Sequence, residues 1–312
     1  MRIWSCVDGR WRDGETEGPA SRWYDLSGAD REVLESLGQR HGLHPLAIAD
    51  CLSPYLHTPK IDDFGDHLFL VAATMVETRA LPEPDELDVF LGHSFLITYH
   101  DGPTAPPAIA LTANALASGV SVRPGTDGLL YEILDRSVDA IIPRVSAMSE
   151  ELDTIEDSIV GEGISRMDQR RVLELRSMAG RVRRLLIPEQ NVMLRFGRGE
   201  IHLVAPENQV YFRDVYDHLV RVDMALEELR EDAEVALSTY LSALNNRMNE
   251  VMKVLAVVGA LALPATVITG IFGTNFDDIP GLHSNWGFAA MMAAMAGMAG
   301  SMAYVFHRRG WF

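Results

Sequence analysis

Residues 254–272 read VLAVVGALALPATVITGIF, and residues 286–306 read WGFAAMMAAMAGMAGSMAYVF; neither run carries a charge. Each is close to the roughly 20 residues with which a helix crosses a hydrocarbon core of about 30 Å. One such run can be the core helix of a soluble protein. Two in succession, divided by a short polar segment, predict a pair of transmembrane helices.

The flanks set the expected orientation. Arg247 and Lys253 precede the first run, and His307, Arg308 and Arg309 follow the second. The connecting segment, 273–285, holds Asp277 and Asp278 but no Lys or Arg. Basic flanks stay on the cytosolic side. A multi-pass protein of the cell (inner) membrane is expected, with both termini cytosolic, an extracytoplasmic loop at 273–285 and a basic cytosolic tail at 307–312. Trp286, Tyr304 and Trp311 fall where interfacial aromatics anchor a span. The second run is rich in Gly, Ala and Met, which permit close helix contact in lipid and fill irregular gaps.

Charge is segregated from this region. From Val254 onward Asp277 and Asp278 balance Arg308 and Arg309, so the whole net charge of −17 falls on residues 1–253. A body so acidic repels phosphate backbones and excludes nucleic acid as a partner. It suits cationic partners, metal ions among them. Cys6 and Cys51 build no disulfide framework and have no clustered His at zinc-site spacing; both are expected as reduced thiols. Residues 1–12 are charged and short of apolar run, unlike a secretory leader.

A long helix leads into the first span. Neither Pro nor Gly occurs between Glu207 and Gly259, and helix formers dominate. One helix from about Glu207 to Phe272 would run roughly 100 Å at 1.5 Å per residue, with residues 206–253 as a stalk and 254–272 as the first span. Pro264 removes a backbone bond and is expected to bend it. Ser238, Ser242, Asn245, Asn249, Met252, Leu255, Gly259, Leu263, Thr266 and Gly270 follow at steps of three or four and share one face. That stripe is polar, then apolar, then small and polar again. A water-containing seam between identical helices explains it; so does a coiled-coil seam with an Asn fixing register.

The body before the stalk divides in two. Residues 1–126 mix strand-like runs (22–26, 67–78, 86–91 and 94–99) with helical ones (30–41 and 45–51), giving an α/β or α+β cytosolic domain, of which α/β is carried forward. Residues 127–205 read as a cytosolic helical hairpin, with arms 127–160 and 165–196 around Gly161 and Gly163. Its first arm carries Glu150, Glu151, Asp153, Glu156 and Asp157, and its second Arg166, Arg170, Arg171, Arg176, Arg181, Arg183 and Arg184. Antiparallel packing predicts that these opposite charges meet across the seam and that the arginines are structural.

No catalytic constellation emerges, and no enzyme activity is expected. Gly161-Glu162-Gly163 lacks the strand and third glycine of a dinucleotide loop. The ten histidines are scattered, none forms HExxH, and His218 reads as a surface residue on the stalk.

Phe272-Gly273-Thr274-Asn275-Phe276 resembles the YGMNF signature of the CorA family of magnesium transporters. Tyr240-Leu241-Ser242, the run from Asn249 to Leu255, Pro264 and Gly270-Ile271 are similar to that family's pore helix in order and spacing. The run from Tyr211 to His218 resembles the start of its stalk, and His44-Pro45-Leu46 with Pro59-Lys60 its cytosolic domain. The resemblance implies a CorA-like homopentamer in the lipid bilayer, with first spans lining a pore and second spans forming an outer ring. It implies a selectivity filter at Gly273, Thr274 and Asn275, an inner polar ring at Asn249, and a narrow apolar stretch at Met252, Leu255 and Leu263. Asp277 and Asp278 would stand at the outer mouth. It also implies gating by intracellular Mg²⁺, with Asp214 matching one regulatory ligand. The filter chemistry suits Mg²⁺, which sheds water reluctantly and prefers oxygen ligands.

Thr274 departs from the Met of the signature, and Ser238 stands where many relatives have an acid. The middle residue differs in the zinc-transporting branch too, so Zn²⁺, Co²⁺ or Ni²⁺ transport, with or without a proton gradient, is the alternative on the same fold. A non-conducting, membrane-anchored sensor or assembly protein is the alternative from another class. The oxygen donors of the filter region favour a hard cation, although five copies of His283 could serve zinc.

Overall fold

The computed structural model of the chain describes residues 1–18, 20–76, 83–102, 104–161, 166–274, 279–281 and 284–311. They fall into two compact units, one of residues 1–161 and 166–237 and one of residues 238–311.

The first unit opens with a hairpin, β1 (Arg2–Val7) and β2 (Arg10–Asp13). Asp8 and Gly9 turn it with φ of 51° and 73°, the left-handed pair that a two-residue hairpin needs and that Asp-Gly supplies. After β3 (Ser21–Ser27) come α1 (Arg31–His41) and α2 (Pro45–Cys51). Strands β4 (Lys60–Asp63), β5 (His67–Val76), β6 (Glu83–Gly92) and β7 (Phe95–His100) then form an antiparallel run. The sheet order is β2-β1-β3-β7-β6-β5-β4, and only β3 and β7 pair in parallel. Strands β5 and β7 are nearly continuous apolar runs, the pattern of strands covered on both faces.

On one face Tyr24, Leu26, Phe69, Val71, Phe90, Ile97 and Tyr99 pack with Leu34 and Leu37 of α1 and Ala47 and Cys51 of α2. Gly38 lets α2 approach closely, since a Cβ there would overlap the Ile48 side chain. The opposite face meets α3 (Pro107–Ala117) and α4 (Thr126–Asp139). There Trp23 Nε1 donates to Thr98 Oγ1 at 3.0 Å, and that hydroxyl donates to Asp25 at 3.0 Å. Helices on both faces of this mixed sheet make the domain α/β. The expected strands and helices are present, while β1, β2, β4 and α3 were not anticipated. Residues 77 and 78 of the expected second strand lie outside the described residues.

Helices α5 (Ile142–Gly161) and α6 (Arg166–Gly197) follow. The arm expected as one helix over 127–160 is two, α4 and α5. Pro143 has no N–H for the Asp139 carbonyl, so α4 ends at Asp139 and a turn intervenes.

The expected charge seam needs a larger correction. Arg171 does cross to Glu151 of α5, with an Nη2–Oε2 distance of 2.8 Å. Arg176 and Arg183, however, pair with α7 (Gln209–Phe272), through Glu234 at 3.0 Å, Asp223 at 2.7 Å, and Glu227. Glu156 of α5 lies near Asp232, Asp153 and Asp157, and burial followed by their charge raises its pKa. Arg176 and Arg183 thus fasten α6 to the stalk, Arg171 ties it to α5, and Arg170 pairs within its own helix with Glu174.

Helix α7 starts at Gln209, two residues after the expected Glu207. Asn208 stands before it, its carbonyl taking the Tyr211 N–H at 3.1 Å. The helix continues unbroken through Pro264 to Phe272. In the second unit its remainder is joined by α8 (Gly287–Arg308). Lys253 Nζ donates to the Gly310 carbonyl at 3.0 Å and lies over the Trp311 ring. Gly287 opens α8 where any Cβ would overlap the Gly281 carbonyl.

Candidate functional site

Among the described residues one group already has metal-ligand geometry. Asp135 and Asp139 stand one turn apart on α4, as Asp214 and His218 do on α7. The donor atoms of Asp135, Asp139 and His218 all lie within 4.8 Å of one another. His218 Nδ1 is 3.9 Å from an oxygen of each of these aspartates, and its Nε2 is 3.7 Å from Asp214 Oδ2. Nδ1 is enclosed yet makes no hydrogen bond, a costly state for a buried polar atom.

The helices are held at this approach by a buried clamp. Asp127, in the first turn of α4, accepts from the Ala205 N–H at 2.9 Å and the Asn208 side chain at 2.8 Å, just before α7 begins. Above it Tyr131 of α4 packs on Tyr211 and Phe212, and Phe212 stacks on Phe196 of α6 at 4.8 Å.

Electrostatics favour a cation. Burial raises the Asp135 pKa, and the charges of Asp139, Glu132 and Asp214 raise it further against the opposing effect of His218. Burial and the charges of Asp135, Glu132 and Asp214 push the Tyr131 hydroxyl up to about 12, against the opposing effect of Arg123. Three carboxylates around one imidazole form an oxygen-rich set with one nitrogen, within the chemistry of a divalent ion.

Of the site residues named from sequence, only Asp214 lies in this cluster. His218, read there as surface, is 21% exposed and central to it. Asp135 and Asp139 were not singled out. Their i, i+4 spacing was visible, but nothing in the chain order says that α4 faces α7.

The stripe on α7 lies elsewhere. Asn249, Met252, Leu255, Leu263, Thr266 and Gly270 are exposed and Gly259 is half-buried. A Cβ added at Gly259 or Gly270 would meet nothing within 4 Å. By contrast Val257 is buried within the unit. Thr266 turns its hydroxyl to the Ala262 carbonyl at 2.9 Å. At the end of α7 the Gly273 N–H reaches Thr269 O at 2.9 Å, and Thr274 Oγ1 donates to Ile271 O at 2.7 Å. Asn275, Asp277, Asp278 and His283 lie outside the described residues.

Comparison with known proteins follows the same architecture. A family model described as "CorA-like Mg2+ transporter protein" matches residues 19–308. The chain belongs to the CorA-like Mg²⁺ transporter family. It is a membrane-spanning divalent-cation transporter of the CorA type and not an enzyme. This CorA-family chain is 31% identical over 299 residues to YfjQ of Bacillus subtilis, covering 95% of this chain and 92% of that protein. It is 28% identical over 294 residues to the cobalt/magnesium transport protein CorA of Thermotoga maritima, covering 93% and 83%. The solved CorA magnesium transporter of Methanocaldococcus jannaschii has the same fold, with TM-score 0.90 at 21% identity over 100% of this chain and 99% of that one.

Proposed function

We propose that this chain carries Mg²⁺ into the cytosol through a pore lined by the first spans of five copies, closed when cytosolic Mg²⁺ binds the stalk. Both termini lie in the cytosol on this reading, in the inner membrane. The observation that carries it is the open stripe on α7. Asn249 at the end of the stalk, and Thr266 and Gly270 in the span, stay exposed in the single chain, on a face whose small and polar character does not suit lipid. Copies of α7 around an axis give these groups a wet lane and leave the other faces to α8 and lipid.

The carry-over from the family gives each residue a task. A ring of Asn275 amide oxygens, on a turn shaped by Gly273 and Thr274, holds the hydrated ion without stripping it. Asp277 and Asp278 concentrate cations at the outer mouth. Asn249 forms the inner polar ring, and Met252, Leu255 and Leu263 close the lane by excluding water.

Gating rests on the cluster of Asp135, Asp139, His218 and Asp214. A divalent ion there relieves repulsion among three carboxylates and partners the orphaned imidazole nitrogen. Loss of the ion lets the charges separate, and the stalk carries that change toward the span.

Co²⁺ is the second cation on this reading, because the T. maritima relative is named for both metals. Flux into liposomes, measured for Mg²⁺, Co²⁺ and Zn²⁺ in parallel, tests the whole. Flux of Co²⁺ or Zn²⁺ without Mg²⁺ would favour the alternative cation on the same fold, and flux of none of the three would leave the sensor reading in its place.

A further inference from the structure

The basic ends of the two spans form a folded corner that neither the proposed pore nor the stalk cluster uses. Helix α8 ends in a tight reversal. The Gly310 N–H donates to the His307 carbonyl at 3.0 Å and the Trp311 N–H to the Phe306 carbonyl at 2.9 Å, the paired bonds of a Schellman cap. Gly310 takes the left-handed φ of 67° that such a cap requires. Trp311 thereby folds back and stacks on Phe306, with ring centroids 5.2 Å apart. From the base of the first span, Lys253 Nζ donates to the Gly310 carbonyl at 3.0 Å and lies 6.0 Å from the centre of the Trp311 ring. An ammonium of α7 is thus fixed against the Arg308-Arg309-Gly310 turn that closes α8.

We propose that Lys253, Arg308 and Arg309 bind the phosphate headgroup of an anionic phospholipid, with Trp311 set at the headgroup level that indoles favour. Among the described residues none of these three cations makes an ion pair, and Arg308 and Arg309 are exposed. The nearest acid along α7, Glu250, is exposed and pairs with none of them. Unpaired cations stand out in a chain of net charge −17, whose α6 arginines Arg171, Arg176 and Arg183 all meet carboxylates. Basic flanks that only orient a span need no fixed geometry, whereas here the tail is capped, stacked and tied to α7. The ammonium has three donors; one goes to Gly310 and two remain. The guanidinium forks of Arg308 and Arg309 match phosphate oxygens. Position selects lipid over a soluble anion. Lys253 directly precedes the first charge-free run, and Arg308 follows the second by two residues, so the cations stand where headgroups do. A soluble polyanion would instead have to approach past the acidic body. One headgroup shared by Lys253 and the arginines joins the ends of both spans. The inference needs the two spans and not the pore, so it stands or falls separately from transport.

Lipid retention by the full-length protein in detergent tests this. Phosphatidylglycerol and phosphatidylcholine with the same acyl chains are offered together, and the bound lipid is counted by native mass spectrometry. Phosphatidylglycerol should be kept in preference. Lys253→Gln should weaken its retention about fivefold, the worth of one cation at an anionic surface, and Lys253→Arg should restore it. Joint replacement Arg308→Gln and Arg309→Gln should weaken it further. Arg247→Gln, about 9 Å farther down α7, should leave it unchanged, as should millimolar inorganic phosphate. Circular dichroism and particle size confirm that the variants fold. Equal retention of the two lipids by the parent would overturn the proposal. So would equal losses in Arg247→Gln and Lys253→Gln, which would reduce the corner to diffuse attraction. Displacement of the lipid by inorganic phosphate would overturn the lipid assignment and leave a site for soluble anions.

Discussion

His218 Nδ1 on α7 lies 3.9 Å from Asp135 Oδ1 on α4 and has no hydrogen bond. The two residues are far apart in the chain and are brought together by the Asp127 clamp. An enclosed donor or acceptor at such a distance from a carboxylate is placed for an ion between them. His218→Ala should raise the cytosolic Mg²⁺ concentration that halves flux by at least about tenfold. An unchanged half-inhibition would remove the cluster from gating. Millimolar Mg²⁺ should also slow proteolysis of the parent's acidic body, and this protection should vanish in the variant.

At the filter, Asn275→Ala removes five amide oxygens at once from the proposed ring. Mg²⁺ flux should fall by an order of magnitude or more, while the particle keeps its size in detergent. A variant that conducts like the parent would end the filter assignment.

Within the lane, Leu255→Asn should admit water to a constriction that closes by excluding it. The expected result is flux that persists at cytosolic Mg²⁺ concentrations that silence the parent. Retained closure would place the barrier at other residues.

Glu189 of α6 gives a prediction about pH. It is fully buried, and burial raises its pKa from 4.5 to about 8 against the opposing effect of a hydrogen bond from the Ala73 backbone. Between those values the folded chain keeps a proton that the unfolded chain has lost, so stability falls as pH rises across the window. Glu189→Gln should be nearly neutral below pH 4.5 and stabilising above pH 8, by an amount on the order of a few kcal/mol. Thermal unfolding at the two ends of the window measures this. An equal effect at both ends would show that the acid is not protonated in the fold.

The sheet shows how far the local pattern reaches. Residues 22–26 and 94–99 read as strands because β-branched and aromatic side chains repeat between turn residues, and both are strands. β1 was missed although Asp8-Gly9 marked its hairpin, because Arg2 and the two arginines of β2 masked the apolar alternation. That β3 lies parallel to β7 is a pairing across some seventy residues, and no local signal encodes it.

What the sequence determined by itself was everything that depends on neighbours along the chain. An uncharged run long enough for the bilayer makes two membrane helices, and the absence of Pro and Gly makes α7 continuous. The GTN motif at 273–275 and its surroundings marked the family, because that signature is contiguous. Only the tertiary structure decided the partners of the charges. Arg183 could have met Glu150 as readily as Asp223 in a reading by composition, and His218 could have faced water. Coulomb forces and burial act through space, so the ion pairs of α6 and the stalk cluster appeared only once α4, α6 and α7 were packed.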